Sequence, residues 1–134
     1  MYSIRVARHE DLSSIKKIAD ANKKEIGFIV RPILIASIQN NELLVAQKED
    51  GCIVGFVRSH QRLDGWNTIY EICVSADFRG EGIGKHLLSK IQKPIRLKCP
   101  EDNKANAFYE HLGFLLVSIE NGKKRKLNIW TLST

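Results

Sequence analysis

The sequence has little proline or methionine, an odd number of cysteines and no long apolar run. There are three prolines, one methionine and three cysteines in 134 residues. No stretch reaches the ~18 apolar residues that a membrane span needs, and the N-terminus lacks the apolar core and cleavage site of a secretory signal. These absences predict a cytosolic protein without a membrane partner.

The cysteines and histidines show no pattern typical of a disulfide or a metal site. Cys52, Cys73 and Cys99 each lie in an apolar run, and no two of them form a C-x-x-C pair. We therefore predict three buried free thiols. The four histidines have no paired ligand spacing, so we predict no metal site.

Length and charge indicate one domain but leave two kinds of partner open. A chain of this size suits a single core, so we expect one domain over residues 1–134. The formal net charge of +6 suits a polyanion such as nucleic acid. It suits a small phosphorylated cofactor equally well, and composition does not choose between the two.

Hydrophobic periodicity predicts a mixed α/β arrangement. Helices are expected after Asp11, from Arg31, from Gly80 and after Asp102, with the two aspartates as caps. The second, third and fourth strands are expected to form an antiparallel meander, and the last two a hairpin. The predicted strands are residues 2–7, 42–47, 52–60, 67–74, 95–99, 114–120 and 126–132.

A glycine-rich turn leads from the fourth strand into the third helix. Glycines without a Cβ let the backbone approach an anion, and the N–H groups at the helix start point toward it. Two flanking cations favour phosphate, although a tight turn without a ligand is the competing interpretation. The spacing does not match a P-loop, because the lysine is followed by His86. The turn is Arg79-Gly80-Glu81-Gly82-Ile83-Gly84-Lys85.

This arrangement resembles the GCN5-related N-acetyltransferase (GNAT) superfamily. The family signature Q/R-x-x-G-x-G/A at the start of the third helix is matched by Arg79, Gly82 and Gly84. A second family element, N-x-x-A-x-x-F-Y followed by x-x-x-G-F, has Asp102 where the asparagine is usual and Asn103 one residue later. The rest of this element is matched by Ala105, Phe108, Tyr109, Gly113 and Phe114.

The resemblance implies a mixed, largely antiparallel sheet of about seven strands with about four helices. Two central strands would splay apart to form a slot for coenzyme A, with acetyl-CoA as the cosubstrate. The cofactor-binding residues implied by the family are Ile72, Cys73, Val74, Arg79, Gly80, Gly82, Ile83, Gly84, Lys85 and Asn103.

The implied activity is direct transfer of an acetyl group to a primary amine of a small molecule or peptide. Tyr109 corresponds to the family tyrosine that protonates the departing thiolate, and its alternative is a core aromatic. Glu71 lies where the family often places a general base, and its alternative is a cross-strand ion pair with Arg58. Phe28 and Arg31 lie in a loop region that would contact the acceptor.

A second class of function stays open beside the enzyme. The basic cluster at residues 123–126 would suit an interaction module that binds nucleic acid or an acidic protein and keeps a vestigial cofactor site. The resemblance favours the enzyme over nucleic-acid binding and leaves a homodimer open. His60 is the one histidine that we keep as a candidate for contacting the acceptor.

Overall fold

The computed structural model describes residues 1–133, which form five α-helices and a seven-stranded sheet. The helices are α1 (Leu12–Ala21), α2 (Lys23–Ile26), α3 (Arg31–Gln39), α4 (Ile83–Ser89) and α5 (Ala105–His111). The strands are β1 (Tyr2–Val6), β2 (Leu43–Lys48), β3 (Ile53–Gln61), β4 (Asn67–Val74), β5 (Ile95–Pro100), β6 (Leu115–Asn121) and β7 (Lys126–Leu132). Within these residues no helix is long and apolar enough to cross a membrane.

The sheet is mixed and largely antiparallel, as predicted. Its strand order is β1-β2-β3-β4-β5-β7-β6. β4 and β5 pair in parallel through the crossover that contains α4, whereas β1–β2, β2–β3, β5–β7 and β6–β7 pair antiparallel. The parallel register covers three pairs, from Asn67 with Ile95 to Ile69 with Leu97. Pairing over a short stretch at the start of both strands is what the predicted splaying requires.

Two compact units make up the described part of the chain. The first contains Met1–Ser59 and Glu71–Lys90, and the second contains His60–Tyr70 and the chain from Ile91 onward. β3 and β4 each contribute residues to both units. The expectation of a single domain stays a prediction.

The first unit is built around an apolar core that involves α1, α3 and the strands β2 and β3. Ile15, Leu34, Leu43, Val45 and Phe56 all belong to this core and have no exposed surface. Burying a side chain of this size contributes about 1.5–3 kcal/mol, so packing is what holds these short helices on the sheet.

The start of α1 differs in detail from the prediction. Asp11 occupies the position before the helix, but its side chain makes no capping hydrogen bond to α1. Its Oδ2 accepts from Arg5 Nη1 and from the Arg8 N–H, both at 2.7 Å, and its Oδ1 accepts from Arg5 Nη2 at 2.9 Å. The carboxylate therefore fastens the first helical segment to β1, because a strand arginine supplies stronger donors than the helix end.

The structure also contains one helix more than predicted. α2 is a single turn, Lys23–Ile26, in a region where the sequence is polar and shows no helical period. It ends at Gly27, whose φ of +82° is readily adopted only by glycine.

In the second unit, an asparagine that the sequence pattern did not single out connects α5 to two strands. Asn106 on α5 donates from Nδ2 to the Pro100 carbonyl at 2.8 Å. Its Oδ1 accepts from Trp130 Nε1 at 2.8 Å and from Asn128 Nδ2 at 3.1 Å. One side-chain amide therefore fastens α5 to both β5 and β7.

The prediction of buried thiols is right for two cysteines and wrong for the third. Cys73 and Cys99 are free and buried, with 6% and 4% of their surface exposed. Cys52 is exposed, because it lies in the turn before β3 rather than inside the strand.

Candidate active site

The glycine turn has the backbone geometry of an anion-binding helix start. Gly82 is the N-cap of α4 with a φ of +82°, and Gly80 has a φ of +80°. A side chain is strained at such angles, so both positions favour glycine. Apart from atoms of the adjoining backbone, a Cβ built on either glycine would have no heavy atom of the described residues within 4 Å. Open space beside the N–H donors of a helix start is what a phosphate group requires.

Arg79 also has a structural role that the sequence did not predict. Its Nε donates to the Val74 carbonyl at 3.1 Å, and its Nη2 donates to Asn22 Oδ1. Asn22 is buried and donates its own Nδ2 to the Ile18 carbonyl at 2.8 Å. Arg79 therefore ties the turn to the end of β4 and to the end of α1. A guanidinium carries five N–H donors, so these bonds leave capacity for a phosphate.

Gly55 on β3 allows α4 to lie close to the sheet. A Cβ at this position would come within 3.5 Å of side-chain atoms of Ile83 and Leu87 and 3.0 Å of the Cys73 carbonyl. Ile83 is thereby buried, while Lys85 on the same helix stays exposed. A glycine inside a strand pattern is the signal that could have predicted this close approach.

The two buried cysteines, Cys73 and Cys99, are unsuited to nucleophilic attack. Burial raises the pKa of Cys73 to about 11, against a smaller opposing effect of Arg79. Burial likewise raises the pKa of Cys99 to about 11. Both thiols are protonated at neutral pH, which agrees with the predicted packing role.

Glu71 forms the cross-strand ion pair that the sequence left open as its alternative role. Its two carboxylate oxygens accept from Arg58 Nε at 2.6 Å and from Arg58 Nη2 at 2.8 Å. The side chains are 10% and 15% exposed, respectively. A carboxylate has about four lone-pair positions, so this pairing does not use its whole acceptor capacity. The general-base role stays a prediction.

Tyr109 is deeply buried on α5. Its ring centroid lies 5.6 Å from the rings of both Phe108 and Phe114. Burial raises the pKa of its hydroxyl above the ordinary value, and Cys99 raises it further. The hydroxyl therefore keeps its proton at neutral pH, as a proton donor must. The same packing also fits the core-aromatic alternative.

The N-cap of α5 is Lys104, not the predicted Asp102, and the first helical N–H is bound by the side chain of Asn103. Asn103 Oδ1 accepts from the Ala105 N–H at 2.9 Å. Asp102 is instead paired with Arg125 at 3.3 Å, because the β6–β7 hairpin brings a cation to it. The cofactor contact of Asn103 is untested by these bonds and stays a prediction.

The residues predicted to contact the acceptor are exposed. Phe28 is 66% exposed and lies under Lys16, whose Nζ is 3.8 Å from the ring centroid. Arg31 is the exposed first residue of α3. His60 lines a cavity of the second unit. Among residues 1–133 no group of three histidine, cysteine or acidic side chains could hold a metal ion.

The chain matches a protein-family model. A model described as an acetyltransferase (GNAT) domain matches residues 39–115, which is more than half of the chain. The chain therefore belongs to the GNAT acetyltransferase family. The predicted family is confirmed. The interaction-module alternative is not tested by this match.

One curated relative is the uncharacterized N-acetyltransferase ycf52 of Gracilaria tenuistipitata var. liui. It is 27% identical to this chain over 117 residues. The match covers 78% of this chain and 62% of the relative. The chain thus spans less than two thirds of the length of that relative.

Solved structures of the family share the fold at low sequence identity. The ribosomal-protein-S18-alanine N-acetyltransferase of Escherichia coli has a TM-score of 0.79 at 20% identity, covering 100% of this chain and 96% of that chain. An N-acetylglutamate synthase of Neisseria gonorrhoeae, complexed with coenzyme A and N-acetyl-glutamate, has a TM-score of 0.82 at 16% identity. That match covers 100% of this chain and 36% of the synthase. The predicted fold class is confirmed.

Proposed function

We propose that the protein is an acetyl-CoA-dependent N-acetyltransferase that transfers an acetyl group directly to a primary amine. The observation that carries the proposal is the α4 turn. Gly80 and Gly82 have left-handed backbones with open space beside them, and Arg79 and the exposed Lys85 flank them. Membership of the GNAT family supports the same conclusion.

Acetyl-CoA fits the residues that the family assigns to it. The anion-binding turn, residues 79–85, would hold the pyrophosphate. The backbone groups of Ile72, Cys73 and Val74 would hold the pantetheine arm, since the Cys73 side chain is turned into the core. Asn103 is proposed as a further cofactor contact. When bound, acetyl-CoA supplies an activated acetyl thioester.

In the proposed reaction one acetyl group moves from sulfur to nitrogen. One proton leaves the amine, and another reaches the departing sulfur. The neutral amine attacks the acetyl carbonyl, a C–N bond forms and the C–S bond breaks. Glu71 is proposed to take the proton from the amine nitrogen, directly or through water, and Tyr109 to give its proton to the departing sulfur. The Val74 N–H is proposed to donate to the carbonyl oxygen while it carries negative charge.

The acceptor is proposed to be a primary amine of a small molecule or peptide. The Escherichia coli relative is named for an alanine of a ribosomal protein, and the Neisseria relative was solved with N-acetyl-glutamate. Acceptors in this family thus differ widely, and the fold does not select one. Phe28 and Arg31 are proposed to contact the acceptor. The cytosolic location expected from the sequence belongs to the same proposal.

Calorimetric titration with acetyl-CoA tests the cofactor site. Gly82→Glu should weaken binding at least ~10-fold, because its carboxylate would occupy the space that an anion needs. Gly51→Glu is the matched control, because Gly51 also has a positive φ, +93°, and open space among the described residues. Both variants carry similar backbone strain, so a difference between them reports on the anion site. Failure of the wild type to bind at millimolar cofactor would overturn the proposal, as would equal binding by the two variants.

A further inference from the structure

A cavity of about 790 Å³ lies within the second unit. Its walls come from the end of β3, the β3–β4 loop, the first half of β4 and β5. Cavities of roughly 300–1,000 Å³ are typical of small-molecule sites. The lining residues are His60, Arg62, Leu63, Asp64, Thr68, Ile69, Tyr70, Arg96, Leu97 and Lys98.

The cavity carries an excess of positive charge. The lining includes three cationic side chains, those of Arg62, Arg96 and Lys98, and one carboxylate, that of Asp64. Arg96 and Lys98 project from the same face of β5, because side chains two residues apart in a strand share a face. Leu97, between them in the strand, is 2% exposed, so it contributes little surface of its own to the cavity. Strand geometry therefore holds two cations side by side.

These two cations share one carboxylate at the rim. Glu120 of β6 lies 3.0 Å from Lys98 Nζ and 3.6 Å from Arg96 Nη2. The second contact is too long for a hydrogen bond. All three side chains are 38–52% exposed, and exposed pairs of this kind are weak. An anion that enters the cavity can therefore compete with Glu120 for the guanidinium of Arg96.

We propose that this cavity binds the anionic group of a small amine acceptor. The acceptor class is then an amine that carries a carboxylate or a phosphate, and a polyamine is disfavoured by like charge. The inference rests on the proposed function and narrows it. Tyr70, which lines the cavity and is 48% exposed, offers an apolar ring to the carbon chain of the acceptor.

Binding of amine-free anions tests the cavity without relying on catalysis. Glutarate and inorganic phosphate are titrated separately into the protein, and backbone amide shifts are followed by NMR. Saturable shifts confined to the lining residues are expected, and the tighter probe identifies the preferred anionic group. Arg96→Glu should weaken this binding ~10-fold. Lys17→Glu, the same change at an exposed lysine of α1, should leave it unchanged. Shifts that do not saturate, or equal weakening by both variants, would overturn the inference.

Steady-state kinetics test whether the anion bound in the cavity is part of the acceptor. The acceptors are γ-aminobutyrate, its amide and putrescine, which share a four-carbon chain and differ in charge at one end. The wild type should use γ-aminobutyrate with the highest kcat/KM. Arg96→Glu should raise its KM ~10-fold and leave that of the amide within twofold. Equal use of the three amines, or turnover of none of them, would overturn the acceptor assignment.

The experiments distinguish failure of the proposed function from failure of the proposed anion site. Loss of the proposed function appears as absence of acetyl-CoA binding in the calorimeter, whatever the anion titration shows. If acetyl-CoA binds normally but no anion binds saturably, the proposed function stands and the anion site is wrong.

Discussion

The two units of the protein use their charged side chains in different ways. In the first unit two arginines each pair with a carboxylate through two hydrogen bonds, and the side chains are 6–18% exposed. In the second unit the pairs around the cavity lie at 3.0–3.6 Å and are 38–55% exposed. The buried pairs are Arg5 with Asp11 and Arg58 with Glu71. The exposed pairs are Arg62 with Asp64, and Arg96 and Lys98 with Glu120.

This difference separates charges that hold the fold from charges that are available to a ligand. A buried ion pair strongly destabilises the protein when one partner is removed, because the other charge stays out of water. An exposed pair is screened by solvent and contributes about 0–1 kcal/mol. The two bidentate arginine–carboxylate pairs of the first unit therefore serve structure, whereas the charged pairs around the cavity of the second unit stay accessible.

Removing the arginine of a buried pair should have the largest effect on stability. Arg58→Met keeps the aliphatic stem but leaves the Glu71 carboxylate, 10% exposed, without its guanidinium. The free energy of unfolding should fall by about 3–5 kcal/mol. Arg62→Met, the same change in an exposed pair, should cost less than about 1 kcal/mol. Urea unfolding of both variants makes the measurement, and equal losses would remove the distinction between the units.

A variant of Tyr109 tests whether a buried group of the second unit takes part in catalysis. Tyr109→Phe keeps the ring between Phe108 and Phe114 and deletes the hydroxyl proton. Turnover should fall ~100-fold, while acetyl-CoA affinity stays within twofold. Tyr2→Phe is the matched control, since Tyr2 carries its hydroxyl 3.2 Å from His86 Nδ1 and has no proposed part in the chemistry. Unchanged turnover in Tyr109→Phe would make Tyr109 a core aromatic.

Local sequence pattern predicted the regular elements well. β4 is observed at Asn67–Val74, the predicted bounds, whereas α4 begins at Ile83 rather than at the predicted Gly80, because Gly82 is its N-cap. Alternation and glycine placement are local properties, so a single sequence contains them. α2 was not predicted, because a single turn of four residues is too short to show a helical period.

The sequence alone did not decide the side-chain partners, because the competing groups come from other elements of the fold. Asp11 binds Arg5 of β1, and Asp102 pairs with Arg125 of the hairpin, so neither aspartate caps its helix through its side chain. For Glu71 the sequence named both a base role and a pair with Arg58, and only the tertiary structure shows the pair. The cavity depends on the β3–β4 loop, whose course has no periodic signal.

The smallest expected effect concerns the other buried pair and its dependence on pH. The hydrogen bonds from Arg5 lower the pKa of Asp11 below its ordinary value of 3.8. The folded protein therefore binds this proton less tightly than the unfolded chain does. Stability from the ionised carboxylate is fully present above the unfolded pKa and is lost as pH falls through the folded one.

Asp11→Asn should therefore lower the free energy of unfolding by about 2 kcal/mol at neutral pH. The deficit should shrink as pH falls below ~4, because the wild type then loses the charge that the variant never had. Glu120→Gln, which removes an exposed carboxylate, should cost less than about 1 kcal/mol throughout. The free energy of unfolding is measured by urea unfolding across this pH range. A deficit for Asp11→Asn that stays constant in acid would show that this pair acts through hydrogen-bond geometry rather than through its charge.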